Sequence, residues 1–78
     1  MPHVHVQHYP KDDLTPERLK AFDDAVTAAV TDTFGVTEDK VSIALETVAP
    51  QDWRDQVVAV FAARRELLIK APGYWKEA

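Results

Sequence analysis

Cysteine is absent from the 78-residue chain, which excludes a disulfide framework and a thiolate metal site as supports for its core. Long apolar runs are absent as well. The longest, Val57–Ala63, has seven residues, whereas a membrane-spanning helix needs about 20. The first residues carry neither the basic nor the apolar region of a secretory signal, so we expect a cytoplasmic protein without a membrane partner.

Positive charge is scarce, because nine Lys and Arg residues stand against thirteen Asp and Glu residues, for a net charge of −4 at pH 7. Nucleic acids and anionic membranes are polyanions, so neither is expected as a partner. The Gly-rich phosphate loop, the Gly-x-Ser-x-Gly elbow and the paired-cysteine and HExxH motifs are also missing. The sequence therefore lacks the common cofactor and nucleophile signatures, and its composition does not select a chemistry.

The residues that are present predict a regular order of elements in one small domain, residues 1–78. Alternation of valine with histidine and glutamine predicts a first strand over 2–9. Thr15 as N-cap, with a proline at the first helical position, predicts a helix over 16–34. Gly35 then follows the apolar stripe, where a left-handed cap needs a residue without Cβ.

The second half of the chain predicts another strand and another helix. Alternation indicates a strand over 40–47, and four-residue apolar spacing indicates a helix over 51–70. An aromatic tail over 71–78 follows, which we expect to pack against other residues, with a partner subunit as one candidate surface. Strand, helix and strand in succession form a βαβ unit with parallel strands. We therefore predict an α+β fold, with a second C-terminal helix added to that unit. Because a two-stranded parallel sheet leaves its edges uncovered, dimerisation is expected to complete it.

Proline directly after the initiator methionine is the most unusual feature for chemistry. Removal of Met1 would leave Pro2 with a secondary amine in place of an amide, and an amine is a base. An ordinary α-amine has a pKa of about 7.7–8.0, which burial or nearby cations lower toward the operating pH. Taken alone, a Met-Pro start is weak support for catalysis.

Four blocks of sequence add context to that proline. They are Met1-Pro2-His3-Val4, Val41-Ser42-Ile43-Ala44-Leu45, Pro50-Gln51-Asp52-Trp53 and Leu68-Ile69-Lys70-Ala71-Pro72-Gly73-Tyr74. On these blocks the chain resembles the tautomerase superfamily, the 4-oxalocrotonate tautomerase-like proteins, over essentially its whole length. The blocks are more similar to its dimeric branch than to its shorter hexameric members, which implies a homodimer.

The resemblance implies a tautomerase/MIF-like fold and a keto–enol tautomerase, which is an isomerase. Pro2 would take a proton from the enol of a 2-keto acid and return it to carbon, with phenylenolpyruvate as the model of this small-molecule substrate class. No metal or cofactor is implied, because the carbonyl itself stabilises the dienolate.

The substrate carboxylate requires a cation near Pro2. Where family members often carry an arginine, this chain has Lys11, and their second arginine falls at Ser42. A lysine binds a carboxylate as a point charge without the bidentate geometry of arginine. Arg54 is the substitute cation that we expect, and Trp53 matches an aromatic pocket wall. The alternative for Trp53 is a core anchor of the second helix.

Two further alternatives stay open. His3 and His5 share one strand face, and such a pair can ligate zinc or copper, although no third ligand is evident and we predict no metal site. The same fold also suits a non-catalytic small-molecule binder or an oligomeric scaffold. A methionine that stays attached would favour that alternative, because Pro2 would then carry an amide.

Overall fold

The computed structural model of the chain describes residues 1–76. Its contacts divide the chain into two compact units, Met1–Val48 and Ala49–Ala78, and each is described separately. No helix within the described residues is long and apolar enough to cross a membrane.

The first unit is a βαβ arrangement. Strand β1 spans His3–His8, helix α1 spans Pro16–Phe34 and strand β2 spans Ser42–Thr47. The two strands pair in parallel, with His3 opposite Ser42 and each following residue opposite its counterpart. A parallel pair cannot be closed by a tight hairpin, and α1 supplies the long crossover that it needs. The predicted α+β fold with parallel strands is confirmed.

The two faces of the sheet differ in chemistry because side chains alternate along each strand. Val4 and Val6 of β1 lie opposite Ile43 and Leu45 of β2 on the apolar face. Leu19 and Phe22 of α1 line cavities together with Val6, Ile43 and Leu45, which places this face of the sheet toward the helix. The opposite face of the sheet carries the polar residues His3, His5, Gln7, Ser42 and Glu46.

Both ends of α1 are capped as the sequence predicts. The Thr15 side chain accepts a hydrogen bond from the amide N–H of Arg18 at 3.2 Å, and Pro16 begins the helix. At the other end, Gly35 has φ 65°, in the left-handed region, and its N–H donates to the carbonyl of Thr31 at 2.9 Å. That conformation costs little for glycine, which has no Cβ.

Strand β2 begins later than expected. Residues 40–47 were predicted to be extended, but Glu38–Lys40 form a 3-10 turn instead. The N–H of Lys40 donates to the carbonyl of Thr37, and the N–H of Val41 donates to that of Glu38, each at 3.1 Å. These local bonds engage the backbone before it can join the ladder, so pairing starts at Ser42.

The predicted single helix over 51–70 is wrong, because the second unit contains shorter helical segments instead. Helical residues begin with a 3-10 turn at Pro50–Asp52, continue as a π turn over Arg54–Val58 and end with the short helix α2 over Ala59–Ala63. Arg64 has φ −123° and ψ 38°, which no regular helix accommodates, and a separate 3-10 turn follows at Arg65–Leu67. After this break the tail returns to the helical residues. Trp75 packs edge-to-face on Phe61, with ring centroids 5.2 Å apart.

Very little of the chain is buried. Val48, with 2% of its surface exposed, is the one buried apolar side chain among the described residues. Large apolar side chains remain in contact with solvent in both units, the extreme being Ile69, which is fully exposed. The others are Met1, Tyr9, Leu19, Phe22, Phe34, Leu45, Val60, Leu67 and Tyr74.

Replacing Thr15 with alanine should lower the free energy of unfolding by about 1 kcal/mol, because the amide N–H of Arg18 loses its acceptor. Thr15→Ser keeps the hydroxyl and should preserve most of that stability. Urea unfolding followed by circular dichroism, at one fixed protein concentration, measures the difference. Thr33→Ala, at an exposed position of the same helix, is the control. A loss of the same size in both alanine variants would contradict the capping role.

Candidate active site

Pro2 lies immediately before β1 and is half-buried. Its carbonyl accepts a hydrogen bond from the amide N–H of Ser42 at 3.2 Å, which extends the strand pairing by one position. Met1 precedes it with 93% of its surface exposed. While Met1 is attached, the nitrogen of Pro2 is a tertiary amide, which has no proton and negligible basicity.

Side-chain pairs connect the two strands on the polar face of the sheet. A hydrogen bond of 2.6 Å joins His3 Nδ1 and Ser42 Oγ. Two residues further along, His5 Nε2 lies 2.9 Å from a carboxylate oxygen of Glu46, and Gln7 donates to the same oxygen at 3.3 Å. Ser42 therefore contacts two consecutive residues at the start of β1. Its backbone N–H donates to the Pro2 carbonyl, and its hydroxyl bonds to the His3 imidazole.

Lys11 lies beyond the opposite end of β1. The six residues of the strand span about 20 Å, so Lys11 and Pro2 of one chain are far apart. Lys11 Nζ contacts Asp13 Oδ1 at 2.9 Å, and Arg18 Nη1 contacts Asp13 Oδ2 at 2.8 Å. The hydrogen bond from Lys11, with the charges of Lys11 and Arg18, holds the pKa of the Asp13 carboxyl below its usual value. The lowered pKa favours the ionised carboxylate, which pairs with both cations.

A cavity of about 520 Å³ lies at this end of the sheet. Its apolar lining comes from Val6, Leu14, Leu19, Phe22 and Leu45. Its polar lining includes Lys11 and Arg18. An apolar cavity with a few converging cations fits a small organic anion, with the hydrocarbon part on the side chains and the carboxylate at the charges.

Arg18 is the residue of this cavity that the sequence did not reveal. It stands in the first turn of α1, and none of the predictions from the sequence included it. Its guanidinium binds Asp13 across the N-cap, and its side chain lines the cavity together with Lys11. The one feature of the sequence that could have indicated this contact was Asp13, an acid five residues before Arg18.

In the second unit, Trp53 is tied to the tail. Its indole N–H donates to the hydroxyl oxygen of Tyr74 at 2.9 Å, and the ring is half-buried. This contact, with that of Trp75 on Phe61, shows that the described part of the tail packs on the helical residues of its own unit, while residues 77 and 78 lie outside the described residues. Arg54 is exposed. A substrate role for Trp53 and Arg54 stays a prediction.

The histidines have partners other than a metal. His3 and His5 bond to Ser42 and Glu46, and the Nδ1 atom of His8 lies 2.7 Å from the carbonyl oxygen of Tyr9. Across residues 1–76 no three His, Cys, Asp or Glu side chains converge as ligands for a metal ion.

Comparison with known families identifies the family of the chain. A family profile described as "Tautomerase enzyme" matches residues 2–60, beginning at Pro2 and covering β1, α1, β2 and Trp53. The chain belongs to the tautomerase family. The predicted resemblance is thereby confirmed, and so is the prediction that the chain is an enzyme of the isomerase class.

Proteins named tautomerase PptA are similar to the chain over nearly its whole length. The protein of Pectobacterium carotovorum subsp. carotovorum (strain PC1) is 32% identical over 75 residues, which cover 95% of this chain and 97% of the relative. The protein of Cronobacter sakazakii has the same identity and coverage. The protein of Escherichia coli (strain SE11) is 33% identical over 78 residues, again with 95% and 97% coverage.

Tyr74→Phe should lower the free energy of unfolding by about 1 kcal/mol, because it removes the oxygen that accepts the Trp53 indole N–H. A Trp75→Phe background leaves Trp53 as the single tryptophan and keeps an aromatic ring against Phe61. Denaturant unfolding followed by tryptophan fluorescence then reports on the Trp53 environment directly. Unchanged stability and emission in Tyr74→Phe would show that the contact does not hold the tail.

Proposed function

We propose that this tautomerase interconverts enol and keto forms of 2-keto acids without a cofactor, with the amine of Pro2 as its general base. The observation that carries the proposal is the family match that begins at Pro2. In support, Pro2 is held at the start of a strand, where its carbonyl is bonded to Ser42. Removal of Met1 generates the secondary amine that the reaction requires.

The reaction moves one proton. The Pro2 nitrogen accepts the hydroxyl proton of the enol, and the electron pair left on oxygen forms the carbonyl double bond. The former carbon–carbon π pair then takes the proton from the protonated amine, which yields the 2-keto acid and regenerates the base. Phenylenolpyruvate is the substrate that we propose as a probe, because its phenyl ring suits an apolar cavity and its carboxylate suits Lys11.

The distance between Pro2 and Lys11 supports a homodimer with a shared site. Within the described residues β1 pairs with β2 alone, so its other edge is available to a second copy. If two β1 strands meet antiparallel about a two-fold axis, the Pro2 end of one copy lies beside the Lys11 end of the other. Each dimer then has two sites, each built from the proline of one chain and the cavity of the other.

The first test is ketonisation of phenylenolpyruvate, followed by its ultraviolet absorbance, with protein whose mass confirms loss of Met1. Pro2→Ala should reduce kcat/KM by roughly 10²-fold or more, which is the usual contribution of a positioned base. The matched control is the same sequence with an N-terminal extension, which keeps the proline ring but converts its amine to an amide. Equal rates in all three proteins would favour the non-catalytic binder instead.

The second test mixes two defective chains. Lys11→Ala should raise KM because the substrate carboxylate loses a cation, whereas Lys20→Ala, which removes an ion pair with Asp24 elsewhere on α1, should leave KM unchanged.

Co-refolding equal amounts of Pro2→Ala and Lys11→Ala should then restore about a quarter of the wild-type kcat/KM. Half of the dimers are mixed, and each mixed dimer has one intact site of two. If the mixture shows only the average of the two parents, Pro2 and Lys11 do not meet between chains.

A further inference from the structure

The proline end of β1 is held by few bonds. Once Met1 is removed, Pro2 is the terminal residue, and terminal residues fray unless they are tied to the fold. Proline in a chain has no amide N–H for the ladder, so its link to β2 is its carbonyl, which accepts from Ser42 at 3.2 Å. A general base must nevertheless be aimed at one atom of its substrate, and a misplacement of about 1 Å can reduce the rate by about 10²-fold.

A second bond lies beside this link. His3 Nδ1 and Ser42 Oγ are 2.6 Å apart, the shortest of the side-chain pairs on the polar face of the sheet. His3 is the residue that follows Pro2, and Ser42 is the residue that binds the Pro2 carbonyl. The backbone N–H and the hydroxyl of Ser42 thus both form hydrogen bonds at the same end of β1.

We infer that the His3–Ser42 pair is a positioning device that keeps the strand end closed and thereby holds the Pro2 amine in one orientation. His3 and Ser42 are positioning residues, because they act through Pro2. When the pair is broken, the Ser42–Pro2 bond opens more often, and the amine is correctly aimed for a smaller fraction of the time. Turnover falls with that fraction, while binding through Lys11 and the apolar cavity is unaffected. This inference rests on the proposed role of Pro2.

The neighbouring His5–Glu46 pair provides a matched control. It connects the same two strands on the same face, at 2.9 Å, and both of its side chains are about half exposed. It lies in the interior of the ladder, with paired residues on either side, so its loss does not release a chain end. A general effect of losing a histidine on this surface would appear equally in both positions.

The experiment compares His3→Ala, His3→Asn and His5→Ala, each with Met1 removed. Asparagine places an amide group about where His3 Nδ1 lies, so it can restore the bond to Ser42. Two quantities are measured: kcat and KM for phenylenolpyruvate, and the hydrogen-exchange rate of the Ser42 amide, which donates to Pro2.

We expect His3→Ala to lower kcat by about tenfold with KM changed less than twofold, and to speed Ser42 amide exchange by about tenfold. His3→Asn should recover most of both quantities, and His5→Ala should change neither. An unchanged Ser42 exchange rate in His3→Ala, or an equal loss of kcat in His5→Ala, would overturn the inference. If the wild-type enzyme shows no Pro2-dependent turnover, the proposed function fails, and the exchange measurement still decides whether His3 closes the strand end.

Discussion

The parallel pairing of β1 with β2 is the constraint on which the rest of the first unit depends. Parallel strands need a long connection, and α1 with its capped ends provides it. The one-to-one register places the valines of β1 against Ile43 and Leu45 and leaves the polar residues together on the other face. The same register sets Ser42 beside Pro2, and the whole length of β1 separates Pro2 from Lys11. The proposed division of the active site between two chains is thus a consequence of strand geometry.

Most of the first unit could be predicted because its signals are local. Strand alternation, an N-cap threonine and a C-terminal glycine each act within a few residues of their own position, and the structure has all three where they were expected. The second helix was placed wrongly because its ending is not a local event. Apolar spacing continues to Leu68, but the chain leaves the helix at Arg64 and its tail returns to Phe61. No spacing rule reveals a contact between residues so far apart in sequence.

The candidate site likewise contains some residues that could be predicted from the sequence and others that could not. Pro2 was selected from its position after Met1 together with the family resemblance, and Lys11 was selected from that resemblance. Arg18 could not be predicted, because a guanidinium in the first turn of a helix is ordinarily solvent-exposed, and only the structure shows that this one lines the cavity beside its ion pair with Asp13. The role of Ser42 was also hidden, since it was considered only as the place of a missing arginine.

The cluster of Lys11, Asp13 and Arg18 carries one net positive charge in a chain whose net charge is −4. Its three side chains are each about half exposed, so dissolved ions reach them freely. At physiological ionic strength the Debye length is about 8 Å, and charges in solvent are largely screened beyond it. The attraction of the cluster for an anion therefore weakens as salt is added, whereas a proton transfer between atoms in contact does not. Ionic strength would act on substrate capture and leave turnover unchanged.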